Sequence, residues 1–310
     1  MGVVAPFSFA RVRQVIADSD IPLRLRHHPE EVVRAVYGYG APIGSTIEHL
    51  PLAERLMPIA RQRVREHEEQ DRSFPSGMVL LADELSGGRG RFQRQWHAPA
   101  GGLWLTMVLA NTLLPAFSRL IPLAAGAACC EAIRTCGVEA RLKWVNDVLF
   151  SGRKVCGVLC ETFRSPRYGE EYVLVGIGVN VNNLAFPPEL RGTAISLREI
   201  LGSELDLAGF AARLLASLSW HFGLLAFDEE QRLAADDGSG ENMPESLLLA
   251  GWQELSDSVG RRVWFGFDVQ RQPQYQALVL GLTPDGGLLL RHLESGAELV
   301  EHSGEILYID

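Results

Sequence analysis

Apolar residues Leu52, Leu56, Ile59, Ala60 and Val64 recur at helical spacing, and the opposite face is charged. This predicts an amphipathic helix over 51–69, with Pro58 marking a kink or a fresh start. Short runs rich in Val, Leu and Ile follow at 78–83, 103–110, 141–144, 148–150, 154–162 and 171–181, and their lengths suit strands. The pair Ser151-Gly152 reads as a tight hairpin turn, and the glycines among Val and Ile in 171–181 suggest a central strand with close backbone approach. An alanine-rich helix is expected over 122–136, with Pro122 in its first turn and Gly137 ending it. Further helices are expected at 208–227 and 244–255, with a flexible loop over 234–240 between them. From Val259 onward, short alternating runs separated by turns such as Pro284-Asp285-Gly286-Gly287 fit a small antiparallel barrel. The fold class is therefore α+β, a mixed and mostly antiparallel sheet flanked by helices, followed by a small all-β unit. The expected domains are an N-terminal extension over 1–40, a catalytic domain over 41–256 and the β domain over 257–310. The extension carries little signal beyond a short helix from Pro29, and no basic recognition helix of a DNA reader is visible there.

The charge balance narrows the function. The 310 residues include 38 acidic and 29 basic side chains, a net −9, so the chain is a poor non-specific partner for nucleic acid. With 47% hydrophobic and 22% charged residues it can bury a real core. Five cysteines without zinc-ligand spacing read as buried reduced thiols, which points to a reducing cytosol. Neither a signal peptide nor an uncharged apolar run of about 18 residues is evident, so a cytoplasmic protein with no membrane partner is expected.

Against that acidic background, three arginines crowd into Gly88-Arg89-Gly90-Arg91-Phe92-Gln93-Arg94-Gln95-Trp96. Glycine permits a sharp fold and close approach to a ligand, and arginine offers a planar fork matched to carboxylate and phosphate. The pairing suits a reaction in which a carboxylate must approach an α-phosphate, because fixed positive charge offsets the repulsion between those anions. A solvated basic turn or an RNA-binding stretch has the same charge, but this loop follows a buried strand and has Trp96 and Trp104 as aromatic surface nearby. It is neither a Walker loop nor a Rossmann fingerprint.

Lys143-Trp144-Val145-Asn146-Asp147 is the second cluster. A lysine among apolar strand residues needs an anionic partner. Such an ammonium can hold a carboxylate and an α-phosphate oxygen, and Asp147 is left open as a holder of a metal, of a ribose or of the lysine itself. An edge lysine before an Asx turn is the plainer alternative.

Together these residues resemble the biotin–protein ligase family. The resemblance runs from Ser45 to the C-terminus through Gly88–Arg91 with Trp96, Lys143–Asp147, Lys154, Gly157-Val158-Leu159-Cys160-Glu161, Gly176-Ile177-Gly178-Val179-Asn180 and Ser303-Gly304-Glu305-Ile306. It implies the biotin/lipoate ligase fold, similar to class II synthetases, with an SH3-like C-terminal domain, in the form lacking the family's DNA-binding domain. This chain has Leu85 where the family often has a Gln that helps seat biotin. Ile47 follows Ser-Thr in place of Asn, Val145 replaces Pro, and Phe92-Gln93 replaces Arg-Gly.

By the same resemblance, biotin reacts with Mg-ATP to give biotinyl-adenylate and pyrophosphate, and a lysine of a biotin carboxyl carrier domain then takes the biotinyl group and releases AMP. Acetyl-CoA carboxylase is the usual carrier source. The catalytic residues implied are Lys143, Arg89 and Arg91. Biotin is expected against Ser45, Thr46, Ile47, Leu85, Gly88, Arg89, Gly90, Arg91, Trp96, Lys143 and Gly157. ATP and the adenylate are expected against Arg89, Arg91, Arg94, Trp96, Lys143, Asn146, Asp147 and Asn180. No protein cage for a metal is expected, since Mg²⁺ arrives on ATP, with Asp147 its candidate contact. A homodimer is open. The alternatives are a lipoate/octanoate–protein ligase, from which the Gly-Arg-Gly-Arg loop differs, and a non-catalytic biotin-binding or nucleic-acid adaptor protein.

Overall fold

The computed structural model describes residues 7–184, 186–235 and 244–309. Seven strands form the main sheet: β1 (Ile47–Leu50), β2 (Met78–Ala82), β3 (Leu103–Ala110), β4 (Arg141–Lys143), β5 (Asp147–Phe150), β6 (Arg153–Arg164) and β7 (Glu171–Val179), in the spatial order β1-β2-β3-β7-β6-β5-β4. Only β1 and β2 run parallel, so the sheet is mixed and mostly antiparallel as expected. Ser151 and Gly152 turn β5 into β6 with φ of 48° and 77°, the left-handed pair a two-residue hairpin requires. The central place of β7, between β3 and β6, was legible in its run of Val and Ile.

Strand alternation gives the sheet two different faces. Leu105, Met107, Ile177, Val175, Val158 and Cys156 point to the larger core, which the helices Ile121–Arg134 and Leu207–Ala235 cover. Leu80, Ala82, Val108 and Leu174 point the other way, against the Leu56–Glu69 helix. That helix starts two residues before Pro58, so the proline sits in its first turn, where its missing N–H costs nothing. Ahead of it lies β1, an edge strand whose half-polar pattern gave no strand signal.

The N-terminal region is part of this core, not an appendage. Val12, Val33 and Val36 are buried with the main cluster, and residues 30–40 form a helix against the Leu207–Ala235 helix. The two backbones touch at Gly40 and Gly223, where an added Cβ would lie 1.9 Å from the Ser219 oxygen and 2.1 Å from the Val36 oxygen. The Leu207–Ala235 helix is long and apolar enough to cross a membrane, which the sequence reading had not registered, yet most of its apolar window is buried inside the fold. It runs past the expected end at 227 and takes in Ala234 and Ala235, while Asp236–Gly240 lie outside the described residues.

The last unit is a five-stranded antiparallel sheet: β8 (Arg262–Gly266), β9 (Tyr275–Leu282), β10 (Leu288–His292), β11 (Glu298–Glu301) and β12 (Glu305–Tyr308), in the order β11-β10-β9-β8-β12. Val263, Phe265, Val279, Leu290 and Ile306 are all but inaccessible. β11 and β12 are its two edges.

Candidate active site

Register puts the glycines where a ligand can reach the sheet. On the face turned toward the Leu56–Glu69 helix, Ala82, Trp104, Gly178 and Gly157 lie in one row across β2, β3, β7 and β6. The next row is Leu80, Thr106, Gly176 and Leu159. Trp96 lies over the first row: an added Cβ on Gly178 would come within 2.7 Å of its Nε1, and one on Gly157 within 3.0 Å of its ring. Only glycine leaves the indole that depth. Its buried N–H has no acceptor among the described residues.

Above this floor is a cavity of about 670 Å³. The loop residues Gly88, Arg89, Gly90, Arg91, Arg94 and Trp96 line it together with Lys143, Asn146, Asp147, Gly157, Asn180 and Leu85. The two charged clusters read from the sequence therefore meet in one space. The cavity crosses the strands, with Leu56, Met57 and Leu85 at the β2 side and Lys143, Asp147 and Lys154 at the β5–β6 side. With strands about 4.8 Å apart, β2 to β6 spans about 14 Å.

At the cationic end Asp147 stands between two ammonium groups, 3.4 Å from Lys143 Nζ and 2.5 Å from Lys154 Nζ. Lys143 and Asp147 face each other across the β4–β5 pair, which fixes their approach. Burial alone would push the Asp147 carboxyl up, but Lys154 and Lys143 together outweigh it and hold the pKa at about 2. One carboxylate against two lysines leaves a net positive charge facing the cavity, which suits anions. Lys154 also lies 5.2 Å from the Trp96 ring centroid, a cation–π contact. Its place beside Lys143 was not read from the sequence, although it stood in the segment Gly152–Gly157. Asp147, engaged by both lysines, does not fit the role of metal ligand, and no group of three or more His, Cys, Asp or Glu among the described residues could hold an ion.

Asn146 and Asn180 are expected at the nucleotide, but the structure gives their amides other partners. Asn146 donates to the Val158 carbonyl at 3.1 Å, and Asn180 donates to the Lys154 carbonyl at 3.4 Å and accepts from Asn183. Both thus position β6 and its lysine. The loop arginines diverge as well. Arg91 donates to the Gly304 carbonyl at 2.8 Å, and Arg94 bonds Glu305 at 2.8 and 2.9 Å and Asp268 at 2.5 Å. Phe92 sits between their guanidinium groups, 5.2 and 5.4 Å from its ring centroid, with a φ of 55°. Both arginines line the cavity, yet their charged ends tie the loop to the C-terminal sheet.

Ser45, Thr46 and Ile47 do not reach the cavity, which corrects the expectation that they contact biotin. Ser45 and Thr46 are exposed and precede β1, at the end of the β1–β2 pair remote from the loop. Where β1 ends, Ala53 bridges Leu85, and the residues leading there are Pro51 and Leu52. Arg61 with its ion-pair partner Glu161 lines the cavity without having been foreseen, as do Met57 and Arg261.

Residues 58–182, which carry β2 to β7 of the main sheet, match the model of the Biotin/lipoate A/B protein ligase family. Among individual proteins, the chain is 33% identical to the Bifunctional ligase/repressor BirA of Bacillus subtilis (strain 168) over 48% of this chain and 47% of that one. It is 42% identical to the Biotin--[acetyl-CoA-carboxylase] ligase of Paracoccus denitrificans over 33% of this chain and 43% of that one. The aligned regions span about half the length of these curated relatives. A solved biotin protein ligase from Aquifex aeolicus, in complex with biotin and ATP, superposes with a TM-score of 0.64 at 25% identity, covering 85% of this chain and 98% of that one.

Proposed function

We propose that this chain is an ATP-dependent biotin–protein ligase. A biotin carboxylate oxygen attacks the α-phosphorus of ATP and pyrophosphate leaves. The ε-amine of a lysine on a biotin carboxyl carrier domain then attacks the acyl carbon of the adenylate, and AMP leaves. The observation that carries this reading is the single cavity shared by Arg89 and the Lys143–Asp147–Lys154 cluster. Bringing two anions together is the main barrier, and preorganised cations lower it.

In this reading Lys143 holds the attacking carboxylate and an α-phosphate oxygen, Lys154 supplies a second ammonium, and Arg89 contacts phosphate. Asp147 keeps the two lysines in place. Arg91 and Arg94 act by holding the loop across the cavity mouth, and the Trp96 ring offers a stacking surface for the nucleotide base. Mg²⁺ enters with ATP as part of the substrate. Carrier domains of acetyl-CoA carboxylase or another biotin-dependent carboxylase are the proposed partners, in a reducing cytoplasm that suits five free cysteines. The test is to incubate the full chain with α-labelled ATP, biotin and an apo carrier domain. The expected result is biotinyl-adenylate, then AMP and a biotinylated lysine in equal amounts. Biotin bound with no AMP formed would favour a non-catalytic binding protein.

A further inference from the structure

Arg55, Leu56, Met57, Leu85 and Thr106 line the end of the cavity away from the lysines. Two polar features there are left unmatched by the protein. Thr106, in β3, is 2% exposed, lines the cavity and hydrogen-bonds no described residue. Its hydroxyl lies beside Gly176, 3.8 Å from where a Cβ there would stand. A buried hydroxyl without a partner is costly, so a ligand group that matches it gains affinity. The second feature is the start of the Leu56–Glu69 helix. Its N-cap is Arg55, no side chain caps it, and Pro58 has no N–H to offer. The first amides, those of Leu56 and Met57, stand at the cavity wall in need of an acceptor. Helix starts favour an oxygen-bearing cap, whereas an arginine adds positive charge to an end that is already positive. Glu54 comes no nearer to Arg55 than 4.0 Å, and the other carboxylate at this end, Glu161, is paired with Arg61. The site therefore presents donors that lack an acceptor, with one open hydroxyl opposite them.

We propose that Thr106 and Arg55 are specificity-determining residues that read the ureido head of biotin. The urea oxygen accepts from the Arg55 guanidinium and the uncapped helix amides, and a ureido N–H donates to Thr106 Oγ1. This rests on the adenylation reading above. It gives the head group to residues that were not expected at biotin, since Ser45 and Thr46 lie elsewhere and the Leu85 side chain offers no hydrogen bond. The spacing suits biotin. Lys154 Nζ stands 2.9 Å from the Cβ position of Gly157, and Gly157 and Gly176 are diagonal neighbours across β6 and β7, about 7–8 Å apart. A valeryl chain and its bicyclic ring can cover the distance from a carboxylate at the lysines to a urea beside Thr106. Leu85 and Met57 then pack against the ring's carbon and sulfur.

The test is ATP–pyrophosphate exchange by the full chain with biotin and with 2-iminobiotin, in which a guanidinium replaces the urea. Thr106→Val keeps the side-chain shape and removes the hydroxyl. It is expected to raise KM for biotin about tenfold or more, because a ureido N–H is left unpaired, and not to raise KM for ATP. Thr106→Ser restores the hydroxyl and is expected to recover most of that loss. Wild type is expected to discriminate against 2-iminobiotin, whose cation meets Arg55 and the helix start. Arg55→Gln should reduce the biotin preference in kcat/KM about threefold or more. A KM for biotin that Thr106→Val leaves unchanged, together with a preference that Arg55→Gln leaves unchanged, would overturn the inference while leaving adenylation standing. So would a Thr106→Val defect that raises KM for ATP equally, since that marks general damage to the site. No exchange with biotin in wild type would overturn the adenylation reading and this inference with it.

Discussion

Replacing Asp147 by Asn removes the carboxylate from between its two lysines, and the cost can be worked from the structure. The side chain is 25% exposed, and its pKa is held at about 2 against an ordinary 3.8. At about 1.4 kcal/mol per pKa unit, that gap corresponds to about 2 kcal/mol of stability in favour of the charged form. Because the folded pKa lies below the unfolded one, the contribution is complete above about pH 4 and is lost as pH falls through the folded value. Urea unfolding of wild type and Asp147→Asn, repeated from pH 7 down to pH 2.5, reads this directly. The variant is expected to be about 2 kcal/mol less stable at pH 7, and the two curves should converge on acidification. Other carboxylates titrate alike in both proteins and cancel in the difference, and repulsion between the two lysines is felt in wild type too once Asp147 is protonated, so it does not prevent the convergence. A difference that stays constant with pH would refute the argument that Lys143 and Lys154 depress the Asp147 pKa.

Three further outcomes are expected. Gly178→Val should drive Trp96 off the floor, since its Cβ would fall 2.7 Å from the indole nitrogen; ATP affinity measured by calorimetry should drop, and unchanged affinity would count against Trp96 as a base platform. Arg94→Gln should leave the melting temperature nearly unchanged, because Arg94 is about one-third exposed and its pairs are screened, yet it should speed tryptic cleavage within the 88–96 loop. Equal cleavage rates would show that Glu305 and Asp268 do not hold the loop. Glu131→Gln takes the nearest carboxylate, 2.6 Å away, from the largely buried Arg24 and leaves it the more distant Asp20, and should cost about 3 kcal/mol in urea unfolding; a loss under about 1 kcal/mol would contradict the reading of Glu131 as its main counter-charge.

What the sequence disclosed follows from how local each signal is. The strands that pair through short turns were legible because alternation and a Ser-Gly turn are written in consecutive residues. The arginine–glycine loop and Lys143 with Asp147 were legible because charge among apolar or glycine neighbours needs a reason. β1 was not, because Ile47-Glu48-His49-Leu50 has the mixed polarity of a short sheet edge. Ser45-Thr46 were expected at the ligand from the family resemblance alone, and they lie before the strand. The tie between Arg94 and Glu305, 211 residues apart, has no local trace, because a long guanidinium side chain chooses its partner only once the chain has folded. The packing of Val12, Val33 and Val36 was hidden for a similar reason: their partners are on a helix nearly 200 residues downstream.

The central claim is that Lys143 and its neighbours neutralise a carboxylate and an α-phosphate in one cavity. Acid-dependent ATP–pyrophosphate exchange in Lys143→Ala, compared with wild type at saturating substrates, measures it most directly. Loss of one preorganised charge is expected to lower the exchange rate by about 10²–10³-fold or more, with the fold intact by circular dichroism. Exchange within a few fold of wild type would mean that the lysine cluster does not carry the chemistry.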